Sequence, residues 1–226
     1  MKKLLLLALG LVTLLLSIFL GYSFGFGKKN EQAEITKPKS EILRIGLVAD
    51  SHNENELLRE ALRQAQSKGV NFVIGLGDYT NLGTVEELLA AKKVFDESKL
   101  QYFVTAGDRD GWDSREKGVA NFSNFNAVFG PATQKIEESG IQFVLLDNSD
   151  IYSGISQNDW NFLEEVTKVT KESEESKVKL TFVFAHKTPF HPDSAHIMGE
   201  DSPKVADQAN RLIKLIEDMG VDGLFT

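Results

Sequence analysis

Four apolar runs in this 226-residue chain each stop at a side chain that can ligate a metal or move a proton. Ile45 to Ala49 runs into Asp50-Ser51-His52, and Val70 to Leu76 into Gly77-Asp78. Gln101 to Thr105 leads to Gly107-Asp108-Arg109-Asp110, and Lys179 to Ala185 ends at His186. Continuous apolar runs read as strands buried on both faces, and α/β proteins place their chemistry at the carboxyl ends of such strands. In an extended chain residues two apart point to the same side, so Asp50 and His52 are expected to reach one point. Carboxylate oxygens and imidazole nitrogens converging in this way suit a divalent ion. Each stretch also has an ordinary reading: Asp50 as a helix cap, Gly-Asp as a turn, Asp108 paired with Arg109, His186 as a loop residue. Four in order, each at the end of a strand, point to a joint metal site.

The segments between these ends must return the chain so that the strands run parallel. Leu57, Leu58, Ala61, Leu62 and Ala65 form one apolar stripe at helical spacing, ended by Gly69. Thr84-Val85-Glu86-Glu87 has the form of a capping box opening a helix to about Phe95. Phe122, Phe125, Val128 and Phe129 sit at helical spacing before Gly130-Pro131, and Ile141 to Leu146 is a further strand ending in Asp147-Asn148. Gln157 to Val169, with Trp160, Leu163 and Val166 inward, and Asp207 to Met219 read as helices; Val221 to Phe225 begins another strand. Strands alternating with helices imply right-handed crossovers and a largely parallel sheet covered by helices.

Net charge is −8 with no concentrated basic patch, which argues against nucleic acid as a partner. The absence of cysteine excludes disulfides, thiolate zinc sites and cysteine nucleophiles. Residues 1–27 read as a membrane anchor or signal peptide, because Leu4 to Phe26 carries no charge and lysines flank it on both sides. The uncharged run is long enough to span a bilayer as an uncleaved anchor, with a cleaved signal as the alternative. Either places the domain outside the cytoplasm, tethered to the membrane or secreted. Residues 28–40 are polar and patternless and read as a linker, leaving 41–226 as the folded domain.

The ordered set Asp-x-His, Gly-Asp, Gly-Asp-Arg-Asp and a lone histidine resembles the calcineurin-like metallophosphoesterase family from about residue 44 to the last residue. Phe129-Gly130-Pro131, Leu146-Asp147, and Gln157 with Trp160 add to the likeness. The resemblance implies a four-layer αββα sandwich: two packed mixed β-sheets flanked by helices, with the metals at the sheet edges. It also implies that Asp50 and His52 hold one ion, that Asp108 and His186 hold a second, and that Asp78 bridges them. The implied chemistry is hydrolysis of a phosphomonoester or phosphodiester by a metal-bridging hydroxide. Nitrogen and oxygen ligands without sulfur allow Mn, Fe, Zn or Co.

Two positions depart from the family pattern. Asp108 stands where the family has asparagine and adds a negative charge. Arg109 stands where the family has a histidine thought to protonate the leaving group; arginine cannot act as that acid, though its fork can hold phosphate. Asp110 is expected to orient Arg109, with a surface pair from Arg109 to Asp110 or Asp113 as the ordinary reading. The Arg109 departure keeps a second function open, a catalytically weak metal-binding member acting as an exported binding module. A Rossmann-like nucleotide binder is disfavoured, since no glycine-rich loop follows the first strand. His191 and His196 read as loop histidines, and Asn81 and Asn148 as faint candidates for substrate contact. Val221 to Thr226 resembles the strand that leads into the family's Gly-His-x-His. The resemblance therefore implies a C-terminally incomplete, poorly folded and inactive piece of a longer protein.

Overall fold

The computed structural model describes residues 42–172 and 178–226. Two sheets form. Strands β1 (Ile45–Val48), β2 (Phe72–Gly75) and β3 (Tyr102–Val104) run parallel in that order, with Ile45 level with Phe72 and Val73 level with Tyr102. Strands β4 (Gln134–Glu138), β5 (Ile141–Leu146), β6 (Leu180–Ala185) and β7 (Gly223–Phe225) form the second sheet in that order. In it β4 is antiparallel to β5 and the rest are parallel. The mixed character expected of both sheets thus belongs to the second alone among the described strands.

Period-two alternation places these strands between two layers. Phe72 and Ile74 on β2, and Leu76 just past it, face the other sheet, while Val73 faces the helices. On β5, Phe143 and Leu145 point between the sheets, and Val144 and Leu146 point to the opposite helices. The rings of Phe72 and Phe143 meet edge to face at 5.3 Å. Helices α1 (Asn55–Ser67), α2 (Val85–Ser98), α3 (Trp112–Glu116) and α4 (Ser123–Phe129) lie between strands of the first half, and α1, α2 and α4 supply its outer core. Helices α5 (Gln157–Glu172) and α6 (Pro203–Asp218) cover the second sheet through Trp160, Leu163 and Leu212. The result is the αββα sandwich.

Local signals behaved unequally. The capping box is present as written, with Thr84 Oγ1 accepting from Glu87 N and Glu87 accepting from Thr84 N. Leu57 does not join the α1 stripe; it is 65% exposed, and Leu58 and Leu62 carry the contact. Strand β4 has no counterpart in the sequence reading. Its Gln-Lys-Ile-Glu-Glu composition suits an edge strand, and it is returned onto β5 by Ser139-Gly140, both at positive φ. Among the described residues no helix is long and apolar enough to cross a membrane. The expected anchor at 1–27 and linker at 28–40 lie outside those residues.

Candidate metal centre

Strand β1 ends at Val48, so Asp50 and His52 are not spaced along an extended chain. Both adopt left-handed backbone (φ 55° and 42°), as do Asn53 and Asp78 (68° and 54°). Such conformations in non-glycine residues cost on the order of 1–3 kcal/mol each and persist where surrounding structure enforces them. Here the enforcement is a backbone ladder: the amides of Asp50, His52 and Asn53 donate to the carbonyls of Gly77, Asp78 and Tyr79 at 2.9–3.0 Å. The convergence expected of Asp50 and His52 is present, but produced by this ladder.

The β2 and β3 loops pack backbone against backbone. A Cβ on Gly77 would overlap Gly107 N, and one on Gly107 would overlap Asp78 N and Oδ1. Into that contact Arg109 N donates to Asp78 Oδ1 at 2.9 Å. Asp110 is fully buried and turned inward: Oδ1 accepts from Thr80 N and Thr80 Oγ1 (3.1 and 2.8 Å), and Oδ2 from Gly107 N (3.0 Å). It therefore does not orient Arg109, contrary to expectation, but ties the two loops together. Burial pushes its carboxyl up to about 7 despite those donors. The Tyr79 hydroxyl adds a second tie, accepting from Gly77 N and donating to Thr105 O.

His186 arrives from the second sheet. Its Nδ1 lies 2.9 Å from Leu76 O, an acceptor, so that nitrogen carries the hydrogen and Nε2 faces the carboxylates. Asn148, at the end of β5, accepts from the amides of His186 and Lys187 and donates to Lys187 O at 2.6 Å. With both ends of its amide engaged in this way, Asn148 positions the start of the His186 loop; an asparagine two residues past an apolar strand was its only sequence signal.

Asp78 stands between the two imidazoles, 3.6 Å from His52 Nε2 and 3.6 Å from His186 Nε2. Asp50 lies 3.8 Å from His52 Nε2, and Asp108 3.3 Å from His186 Nε2. Two triads follow, Asp50-His52-Asp78 and Asp78-Asp108-His186, each with ligand atoms within 4.8 Å of one another. Atoms that share an ion at about 2.0–2.2 Å stand about 3–3.6 Å apart, so the donor set fits divalent ions with little adjustment. Burial, with Asp108 nearby, raises Asp78 against the opposing His186, Arg109 amide and His52. Burial also works against charge on His186, but Asp108, Asp78 and Asp50 outweigh it and bring the ring up to about 9. Asp108 is held well below the usual carboxylate range, its own burial being outweighed by the His186 ring and the Lys187 ammonium.

Arg109 is exposed, its guanidinium 5.0 Å from the Trp112 ring centroid. Neither expected surface pair forms: Asp110 is engaged as described, and Asp113 pairs with Lys117 and Asn124. His191 Nδ1 accepts from the amides of Asp193 and Ser194, and His196 Nδ1 lies 3.2 Å from Glu200, which leaves both as loop histidines. Asn81 is exposed on the β2 loop. A cavity of about 630 Å³ lies apart from the two triads, lined by Asp147, Trp160 and Arg211 among others. Burial brings the Asp147 carboxyl there up to about 7, opposed by the Ser149 amide.

Residues 43–226 match the family described as calcineurin-like phosphoesterase. Among solved structures, the chain resembles a purple acid phosphatase, PPD1, from yellow lupin (Lupinus luteus) seeds, at 13% identity and a TM-score of 0.52. That match covers 80% of this chain and 37% of the lupin chain. It also resembles TT1561 of Thermus thermophilus, at 12% identity and a TM-score of 0.53, covering 81% of this chain and 80% of that one. At these identities the likeness is one of fold. No curated protein matches the chain.

Two outcomes are expected from this geometry. Gly107→Ala forces Asp78 aside, so divalent-ion binding weakens at both triads and stability falls by about 1–3 kcal/mol, read by calorimetric titration and urea unfolding. Unchanged ion binding would contradict the close-packed loop arrangement. For Asp147 the folded-state pKa lies above the ordinary value of about 4, so the folded chain keeps a proton that the unfolded chain releases. Its contribution to stability is present below about pH 4 and is lost as pH rises toward about 7. Asp147→Asn should therefore flatten the loss of stability between about pH 4 and 7, as seen in unfolding midpoints across that range.

Proposed function

The chain belongs to the calcineurin-like phosphoesterase family, and on that premise we propose that it is a dinuclear metal-dependent phosphoesterase acting on phosphomonoesters or phosphodiesters. The observation that carries this reading is the placement of Asp78 midway between His52 and His186. Asp50, His52 and Asp78 would hold one ion, and Asp78, Asp108 and His186 the other. Two bound ions polarise phosphoryl oxygens and acidify water toward a nucleophile. The chain's own residues do the rest. The Leu76 carbonyl keeps His186 Nε2 available to a ligand, the Arg109 amide aims the Asp78 carboxylate, and Asp110 keeps the two loops in register.

The Arg109 side chain, free of ion pairs among the described residues, is assigned to the phosphate. A charged fork resting beside Trp112 can grip phosphate oxygens but cannot deliver a proton to a leaving group. His191 and His196 are committed to loop contacts and offer no acid at the two triads. The same observation favours the second reading, a catalytically weak metal-binding module. Turnover of aryl phosphates by the metal-loaded protein separates the two, because a pure binding module releases no product. Export, with membrane tethering or secretion, is inferred from the uncharged Leu4 to Phe26 segment.

If Asp78 bridges, Asp78→Asn lowers ion content at both positions, whereas Asp50→Asn empties mainly one; equal and unaltered stoichiometry in both variants rules the assignment out. Arg109→Ala should raise KM and lower kcat/KM by roughly ten- to a hundredfold, the loss of a charge-assisted contact of about 1.5–3 kcal/mol. That loss should be the same for esters with good and poor leaving groups. A loss confined to poor leaving groups would instead assign Arg109 to proton delivery through water.

A further inference from the structure

Asp108 adds a negative charge where the family pattern has a neutral amide, and the structure supplies a cation beside it. Lys187 Nζ lies 3.2 Å from Asp108 Oδ1, the same oxygen that lies 3.3 Å from His186 Nε2. Both side chains are shielded, at 17% and 16% exposed. The lysine backbone, two residues past β6, is clamped at both its amide and its carbonyl by Asn148. An exposed lysine on a free loop would pair and unpair at little gain, but this one is held against a carboxylate inside the cluster.

We propose that Lys187 is the built-in counter-charge of Asp108 and sets how tightly the second ion is held. The inference rests on the dinuclear reading above. With Asp108 negative and Lys187 positive, the second position presents the same net charge as a neutral amide with no lysine. The pair differs from that amide in being adjustable from either side. Removing the lysine leaves a bare carboxylate facing the ion and strengthens the attraction. Removing the carboxylate leaves an ammonium facing a dication, a like-charge contact in a shielded place.

The experiment is a double-mutant cycle read by calorimetric titration of the metal-free protein with Mn²⁺ alone, without any measurement of turnover. Lys187→Met should tighten the second equivalent by about tenfold or more and leave the first unchanged. Asp108→Asn should loosen the second equivalent by about tenfold or more, and the double variant should return to within about threefold of the wild type. Lys187→Arg, which keeps the charge, should bind as the wild type does. Lys187→Gln offers the same charge removal in a second side chain, should the methionine variant fold poorly. An unaltered second affinity in Lys187→Met and Lys187→Gln, with the double variant as weak as Asp108→Asn, overturns the proposal and leaves the two-ion centre intact. A wild type that takes up fewer than two ions overturns the centre and this inference together.

Discussion

The whole centre depends on two loops approaching backbone to backbone. Gly77 and Gly107 meet where no side chain fits, and the buried Asp110 carboxylate, held by Gly107 N on its own loop, bonds across the seam to Thr80. Three carboxylates of the cluster, Asp50, Asp78 and Asp108, repel one another when no cation is present, so something other than their own attraction must hold them together. Backbone amides do so. The ladder from Asp50, His52 and Asn53 to the β2 loop and the Arg109 amide on Asp78 aim the side chains before any ion arrives. Preorganisation of this kind lets binding energy go into holding ions, with less needed to order loops.

The four layers explain why the loops are where they are. A strand buried on both faces, as β2 is, has no solvent-facing side on which to carry polar groups, so polar chemistry is displaced to its end. Because β1, β2, β3 and β6 all point the same way within their sheets, their carboxyl ends can contribute jointly. The inter-sheet layer of Phe72, Ile74, Phe143, Leu145 and Phe184 brings the end of β6 against the end of β2, close enough for the His186 ring to reach the Leu76 carbonyl. That bond is one of the links between the two sheets at the centre, and it fixes which imidazole nitrogen faces the carboxylates.

The two departures from the family pattern have different physical characters. Asp108 is compensated in place by Lys187 and His186, which together hold its carboxyl ionised. Arg109 is not compensated. It stands exposed beside Trp112, with Arg115 on the same ring at 5.1 Å.

Much of this was legible in the chain itself. Apolar runs ending in Asp50, Asp78, Asp108 and His186, the Thr84 capping box and the Trp160-Leu163-Val166 stripe are all local patterns, and period and propensity act locally. What stayed hidden depends on neighbours distant in sequence. The strand-like spacing that promised Asp50 and His52 a common direction gave way to left-handed backbone, because the β2 loop sets their hydrogen bonds. Asp110 was expected to orient Arg109, Asn148 was a faint candidate for substrate contact and Lys187 drew no reading; the contacts they make arise only where two strand ends meet. The charged β4 lacks the apolar run that marks the buried strands. The chain determined which residues stand at the strand ends. Tertiary structure decided which of them turn inward, because the packing of loop against loop dictates which polar atoms lose water and must find partners.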